Sequence, residues 1–396
     1  MPRPVVRAGD NRQRTRVLLS ATDSTWGGIG AQVTELAIGL ADSEFEPVIL
    51  TTRRGGGELA ERSRALGIAT HVLPHRLIHR TFPFADYYSV GSFLLRKLLR
   101  RERIALLHTH DAKSGLALMR AAESLRTPLP LVWHIHDFDS QWVKARTLPV
   151  QNREGSMVVA ISDAVARWAA ARGVEAAHIR RIYNGIHLPP FSPDARLRAR
   201  GALGIADDEL AVVLAGRLHP RKGQEDLIRA VAEPVLRDAN LRVFLLGLPE
   251  RADHEEHLRA LASTLGVAER IVFAGYREDT PTLLAGFDIS ALPARREAFG
   301  RVVIESMHAG TPVVVYDEGG PPELVRHERE GLVVPTNDIP ALAAALARLA
   351  NDAGLRARLA LAARERARTF THERWMGEIL SLYRELLSSR LARQSV

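Results

Sequence analysis

The pair Glu297 and Glu305 forms an E-x7-E pattern inside Arg296-Glu297-Ala298-Phe299-Gly300-Arg301-Val302-Val303-Ile304-Glu305. An apolar run, Phe287 to Leu292, precedes the pair and stops at Pro293, and Pro312 to Tyr316 repeats the pattern after it. Both runs predict buried strands. Between them Gly300 to Ala309 has helical spacing, with Val302, Val303, Ser306 and Ala309 on the expected inner face. One carboxylate then sits in a loop before a helix N-terminus and the second about one and a half turns inside it. The first amides of that helix, around Phe299, Gly300, Arg301, Val302 and Val303, lack helical partners and face an anion well. The carboxylates only accept hydrogen bonds, so they suit hydroxyls. Together they suit a phosphorylated sugar.

A second constellation is cationic. Gly216-Arg217-Leu218-His219-Pro220-Arg221-Lys222-Gly223 follows the strand Ala211–Ala215 and opens a helix at Gln224. A guanidinium and an ammonium at a helix start make a clamp for a pyrophosphate; Arg221 is expected in solvent. Two further positions are weaker taken singly. Trp26-Gly27-Gly28-Ile29-Gly30 is a turn after the first strand, where Gly28 permits close approach of a phosphate or sugar. His136 closes the run Leu131-Val132-Trp133-His134-Ile135-His136-Asp137, at the end of a strand where open parallel sheets bind ligands. Alternation puts Val132, His134 and His136 on one face, and His134 is read as structural.

These groups need a scaffold of strand ends. With 396 residues the chain is too long for one ordinary core and fits two domains. Arg16–Ser20, a helix over Ile29–Leu40 and Val48–Thr52 make a βαβ start, hence a parallel, doubly wound sheet. Further strands are expected at Thr70–Pro74, Ile104–His108, Leu131–Asp137, Met157–Ile161 and Ile179–Tyr183. Leu188-Pro189-Pro190-Phe191-Ser192-Pro193 breaks regular structure and marks a linker. The strand Ala211–Ala215 starts a second sheet, continued at Val243–Gly247, Ile271–Ala274 and Leu332–Pro335, with closing helices near 338–350, 352–369 and 371–391. The expected division is a disordered leader 1–14, a first domain 15–187, a second domain 188–370 and a terminal helix segment 371–396.

Composition excludes several classes. Hydrophobic content of 46% with 25% charge is globular. The chain has no cysteine, so disulfides, thiolate metal sites and thiol nucleophiles are out. No signal peptide or membrane span is apparent, which fits the cytoplasm. Net charge is +8, but the cations are scattered and aromatics are only 6%, so no nucleic-acid platform is expected. A nicotinamide site would want an acid after the second strand; Thr51-Thr52-Arg53-Arg54 stands there, against NAD but not against NADP. Asp137-Phe138-Asp139 is not read as a metal site. His108 and His110 share a face without a third ligand at convincing spacing, so no zinc is expected either. Phe93-Leu94-Leu95-Arg96-Lys97-Leu98-Leu99-Arg100-Arg101 has an apolar face flanked by cations, which covers a sheet or lies on an anionic bilayer.

The four segments, in this order and over roughly residues 15–390, resemble glycosyltransferase family 4, retaining enzymes of the GT-B fold. The resemblance implies an α/β fold of two Rossmann-like doubly wound domains facing a central cleft, with the C-terminal helix crossing back to the first domain. It implies that Glu297 and the amides after it hold the donor sugar and Glu305 the ribose. Arg217 and Lys222 would hold the donor diphosphate, Gly275-Tyr276-Arg277 would receive the base, and His136 would reach the sugar from the first domain. Gly28 would lie opposite the donor phosphates. The implied reaction moves a sugar from a nucleoside-diphosphate sugar to a hydroxyl acceptor, as in bacterial cell-surface polysaccharide or glycoconjugate synthesis. It needs no metal or other cofactor. The rival readings are an NADP oxidoreductase, a sugar-nucleotide epimerase, or a non-catalytic partner subunit.

Overall fold

The computed structural model describes residues 14–22, 28–53, 57–74, 86–123, 125, 128–139, 144, 147–188 and 190–394. The expected leader apart from Arg14, Trp26 and Gly27 of the glycine turn, and Pro189 of the linker lie outside them. The chain divides into two compact units, one of residues 1–183 with 375–396, the other of residues 184–374.

The first unit holds a seven-stranded parallel sheet. Its strands are β1 (Thr15–Ser20), β2 (Phe45–Thr52), β3 (Ala69–Leu73), β4 (Ile104–Thr109), β5 (Leu131–Ile135), β6 (Ser156–Ala160) and β7 (Ile179–Arg181), in the order β3-β2-β1-β4-β5-β6-β7. Its helices are α1 (Gly28–Ala41), α2 (Gly57–Ala65), α3 (Asp86–Arg101), α4 (Ala112–Glu123), α5 (Leu148–Gln151) and α6 (Asp163–Ala170). The strands are continuous apolar runs because helices cover both faces. Val17, Leu18 and Leu19 of β1 are wholly buried. The strand order reverses between β1 and β4, so chain entering from β1 and from β4 parts there and leaves a crevice at the carboxyl ends.

The second unit repeats the plan with six strands: β8 (Leu210–Ala215), β9 (Leu241–Leu246), β10 (Ile271–Gly275), β11 (Ile289–Leu292), β12 (Val313–Tyr316) and β13 (Gly331–Val334). Their order is β10-β9-β8-β11-β12-β13, all parallel, and the reversal falls between β8 and β11. Its helices are α7 (Ala195–Leu203), α8 (Gln224–Ala232), α9 (Ala252–Thr264), α10 (Thr280–Leu283), α11 (Arg301–Ala309), α12 (Pro321–Leu324), α13 (Ile339–Asn351) and α14 (Ala353–Ala367). Asp338 and Asp352 cap α13 and α14 by accepting from Ala341 and Leu355 amides. The last helix, α15 (His372–Gln394), places Trp375, Met376, Ile379, Leu382 and Tyr383 in the core of the first unit, beside Val17, Leu36, Ile49 and Leu106. Each such large side chain contributes about 1.5–3 kcal/mol on burial.

Two local expectations change. Helix α7 follows the proline-rich linker where no helix is expected. Its pattern is inverted: Leu197 is 69% exposed, whereas Arg200 is buried. The Arg200 guanidinium donates to Gly286 O and Asp288 Oδ2, both at 3.2 Å, and to Glu209 O at 2.7 Å. A buried cation whose terminal nitrogens are met by carbonyls and a carboxylate can occupy a core position, and periodicity of apolar residues does not report it. In α11 the buried face is Val303, Ile304, Ser306, Met307 and Ala309, so Ile304 and Met307 join it while Val302 is only half-buried.

Candidate active site

In the second sheet the two loops at the reversal carry the cations and the first glutamate. Leaving β8, the chain makes a turn over Pro220–Lys222, with the Lys222 amide on His219 O at 2.8 Å. Gln224 Nε2 returns to Arg217 O at 2.9 Å. Gly223 ends the turn at φ +80°, and a Cβ there would lie 2.0 Å from Pro293 O. Only glycine fits, because this turn presses directly on the end of β11. Leaving β11, the Arg295 amide donates to Arg221 O at 2.8 Å, so the two loops are joined backbone to backbone. The Arg295 guanidinium grips Asp226 of α8 at 2.7 and 2.8 Å, and the Tyr316 hydroxyl donates to the same carboxylate at 2.8 Å.

This framework brings the Lys222 ammonium to 2.5 Å from Glu297 Oε2, with the two side chains 28% and 16% exposed. Burial pushes the Glu297 carboxyl up. The Lys222 ammonium, its hydrogen bond, the Phe299 amide and Arg221 outweigh burial and hold the carboxyl below its ordinary range. Glu297 is therefore an anion, and the group in contact with it is a cation. The backbone around it is equally constrained. Gly320 N donates to Glu297 O at 2.8 Å, and a Cβ on Gly319, at φ +78°, would lie 2.1 Å from that oxygen. Arg296, just before Glu297, adopts φ +52°, a region a non-glycine residue seldom occupies.

Gly300, at φ +93°, is the N-cap of α11, and Ser306 of that helix donates to Ser290 of β11 at 2.9 Å. Glu305 is half-buried on α11. The expected anion site at the helix start is narrower than the run Phe299 to Val303. Val303 N donates to Gly300 O at 2.9 Å, and the Phe299 amide serves Glu297. The Phe299 ring is buried and meets Phe370 edge-on, 6.5 Å between centroids, so it offers only backbone. Arg301 and Val302 occupy the first turn of α11, both half-buried. Arg217 shares the β8 loop with Lys222 but reaches Glu250 at 3.1 Å in an exposed pair. Beyond β10, Tyr276 is 64% exposed and Arg277 forks onto Asp279 at 2.9 Å through two bonds.

In the first sheet the same place, the carboxyl ends at the reversal, holds a carboxylate beside a cluster of imidazoles. Asp111 ties it together by accepting from the Thr22 amide at 2.8 Å and from Ser114 N at 2.8 Å. Gly28 begins α1, and an added Cβ there would meet nothing within 4 Å. β5 ends at Ile135, so His136 stands just past it. Its ring is one of four. His108 stacks on His110 and His134 on His136, each pair at 4.4 Å between centroids. His110 Nδ1 lies 2.9 Å from His136 Nε2, His108 Nε2 lies 3.1 Å from His134 Nδ1, and His108 Nδ1 lies 2.5 Å from the Tyr383 hydroxyl. His108, His110 and His134 are buried, and burial first, then their imidazole neighbours, lowers their pKa values well below the ordinary value. They are neutral.

The expectation that His108 and His110 lack a third imidazole is corrected. His134 comes from the adjacent strand, and one nitrogen from each of the three lies within 4.8 Å of the others. Spacing along one strand cannot show a neighbour supplied by another. Motif reading also passes over Asp226, Gly319, Gly320 and Tyr383. The glycine pair before Pro321 is visible in the chain but is indistinguishable there from an ordinary turn.

The Glycosyltransferase Family 4 model matches residues 26–188, and the model described as Glycosyl transferases group 1 matches residues 196–366. The chain is 34% identical over 383 residues to a D-inositol 3-phosphate glycosyltransferase of Nocardioides sp., covering 83% of each chain. A protein of the same name from Saccharomonospora viridis is 36% identical over 219 residues, and there the match spans 53% of this chain and about half, 51%, of the relative. The structure of Anabaena Alr3699/HepE in complex with UDP superimposes with a TM-score of 0.80 at 26% identity, over 94% of this chain and 100% of that one. These likenesses support glycosyl transfer and not the oxidoreductase, epimerase or non-catalytic readings. The chain belongs to glycosyltransferase family 4, and its fold is GT-B.

Proposed function

We propose that this protein transfers a sugar from a nucleoside-diphosphate sugar to a hydroxyl acceptor with retention of the anomeric configuration. The observation that carries the reading is the Lys222–Glu297 contact at the reversal of the second sheet. A cation and an anion held side by side and partly buried match a donor that is a diphosphate at one end and a polyol at the other. On donor binding Lys222 shifts from Glu297 to a phosphate oxygen, and the freed carboxylate accepts from sugar hydroxyls. Arg217 joins Lys222 on the diphosphate, the first amides of α11 add their dipole, Glu305 takes the ribose, and the turn at Tyr276 and Arg277 takes the base. On the first unit, Gly28 and His136 are the residues assigned to substrate.

The acceptor hydroxyl attacks the anomeric carbon on the face from which the diphosphate departs. The carbon–oxygen bond to phosphate breaks, and a phosphate oxygen takes the acceptor's proton. Glu297 positions the sugar and does not attack it. Stabilisation of the charge that grows on the leaving group is the main catalytic contribution. No metal or other cofactor is required. UDP is the first base to test, because the superimposable Anabaena protein was crystallised with it. D-inositol 3-phosphate is the first acceptor to test, as the named substrate of the relatives.

The test is a thermal-shift panel of UDP, GDP, ADP, CMP and NADP on the protein and on Lys222→Ala. A ligand at about 100 times its dissociation constant adds roughly 2.7 kcal/mol. One nucleoside diphosphate should stabilise the protein, and less so the variant. An equal shift in both, or none from any nucleoside diphosphate, overturns the clamp.

We also place the protein on the cytoplasmic face of an anionic membrane. Helix α3 supports this: Leu95 and Leu99 are buried, whereas Phe93 is 54% and Leu94 37% exposed beside exposed Lys97, Arg100 and Arg101. Among the described residues no helix is long and apolar enough to cross a bilayer. Sedimentation with anionic vesicles should fall when Arg96, Lys97, Arg100 and Arg101 are all changed to Ala, and unchanged pelleting would remove the helix as an anchor.

A further inference from the structure

One buried carboxylate of the second unit joins four strand-end segments, among them those that carry Lys222 and Glu297. Asp226 stands in the first turn of α8, four residues after Lys222. Arg295, two residues before Glu297, spans it: Nη2 lies 2.8 Å from Oδ1 and 2.7 Å from Oδ2. The Tyr316 hydroxyl, at the end of β12, donates to Oδ2 at 2.8 Å. Burial first, and then Asp226, push that hydroxyl far above its ordinary pKa, so it stays a donor. Arg295 Nε donates to Asn337 Oδ1, in the loop between β13 and α13. The chain leaving β8, β11, β12 and β13, four neighbouring strands of the sheet, is thus tied at a single point.

The network ends where the backbone is strained. Arg295 is held by its side chain and also by its amide, which donates to Arg221 O at 2.8 Å. Two residues on, the Glu297 carbonyl accepts from Gly320 N at 2.8 Å. Between these fixed points Arg296 takes φ +52°. A residue with a side chain keeps such a conformation only where its surroundings impose it. Released from Arg295, the loop would relax and turn the Glu297 side chain away from Lys222. The acid itself stands in the first turn of a helix, where a diphosphate is expected and a bare negative charge would repel it; pairing with Arg295 cancels that charge. We propose that Asp226 is a positioning residue: through Arg295 it fixes the strained backbone at Arg296, and so aims the Glu297 carboxylate at Lys222 and, once the donor is bound, at sugar hydroxyls. Tyr316 only orients Asp226. The inference, as far as the sugar is concerned, rests on the reading of Glu297 given above.

The experiment follows the Glu297 carboxyl itself, by carbon NMR titration of the full chain labelled with 13C in the glutamate side-chain carboxyl, the signal being assigned with Glu297→Gln. Lys222 and the Phe299 amide hold that carboxyl low against burial, so its midpoint reports whether the contact is kept. Asp226→Ala has two effects of opposite sign. Loss of a nearby negative charge lowers the midpoint, whereas release of Glu297 from Lys222 raises it. The midpoint should rise in Asp226→Ala, rise less in Asp226→Asn, which keeps one acceptor oxygen for Arg295, and stay in place in Tyr316→Phe, which keeps the Asp226–Arg295 pair. An unchanged or lowered midpoint in Asp226→Ala overturns the proposal, as does an equal rise in Tyr316→Phe. If Asp226→Ala does not fold, Asp226→Asn against Tyr316→Phe decides. This arm needs no donor, so it decides whichever base the protein takes. UDP release from UDP-glucose should show a kcat roughly 10–100-fold lower in Asp226→Ala, while UDP, which lacks the sugar, should bind within about threefold of the unaltered protein by calorimetry. A loss of UDP affinity as large as the loss of turnover would place the network behind the diphosphate clamp and overturn its assignment to Glu297. A raised midpoint with full turnover would bear out the contact and remove Glu297 from the reaction, so the two readings fail separately.

Discussion

The two sheets have the same strand order around the same reversal, yet the ends of the strands there are opposite in character. In the second unit the reversal between β8 and β11 holds an ammonium against a carboxylate. In the first unit the reversal between β1 and β4 borders a group of uncharged imidazoles, three of them fully buried. One topology thus serves two electrostatic designs. A partly open site can keep full charges, because water compensates them. A sealed site cannot keep unpaired charge, so it uses neutral donors and acceptors whose strength lies in direction.

The sharpest way to break this contrast is acid. His108, His110 and His134 have depressed pKa values in the folded protein, so below their unfolded value of about 6.5 the unfolded chain binds protons that the folded chain does not. Stability is then fully present above pH 6.5 and falls as pH drops below it. Each histidine contributes a loss of about 1.4 kcal/mol per pH unit, and the three together about 4 kcal/mol per unit, until the folded cluster itself takes a proton. Urea melts at pH 7, 6 and 5 should show it. A flat profile would mean that the cluster is not buried and neutral.

The charged side is tested next. Lys222→Ala should lower kcat by about 10²–10³, because it removes a cation aimed at the developing charge. Without Lys222 burial dominates at Glu297, so its carboxyl should rise, and the acid limb of the pH–rate profile should move to higher pH. A variant with normal turnover would show that Lys222 serves only to pair with Glu297. Gly223→Ala should cost about 2–5 kcal/mol, since it adds both a strained φ and a clash with Pro293 O. Chemical denaturation would measure it, and a loss below about 1 kcal/mol would show that the two loops at the reversal are not tightly joined. Smallest is Tyr383→Phe, which strips a hydroxyl from His108 while keeping the ring in the core, and should cost about 1–3 kcal/mol. Its slope of stability against pH should remain that of the unaltered protein if the histidines stay buried.

Much of this was legible before the fold. Apolar runs of strand length ending in Gly216, Pro293 and His136 announce strand ends, and the cations and carboxylates directly after them announce chemistry. Less legible was anything that depends on a partner far along the chain. Arg200 reads as a surface arginine until Asp288 and three carbonyls are seen to surround it. Asp226 reads as a helix N-terminal acid until Arg295 and Tyr316 close on it. His110 reads as a stray strand histidine until His136 appears opposite.

Residue type and local period by themselves determined the parallel sheets and put Glu297, Lys222, Arg217 and His136 forward as candidates in strand-end segments. These are properties of a few neighbouring residues: which side chains avoid water, which groups are ionised, where a helix leaves amides unpaired. Only the tertiary structure decided who meets whom. β11 inserts beside β8 while β9 and β10 fold to the other side, which sets Lys222 on Glu297. β5 pairs with β4, which sets His136 on His110, and α15 brings Tyr383 to His108. Strand order is a choice among crossovers that bury nearly the same local surface, so it is settled by the packing of the whole domain and not by any one segment.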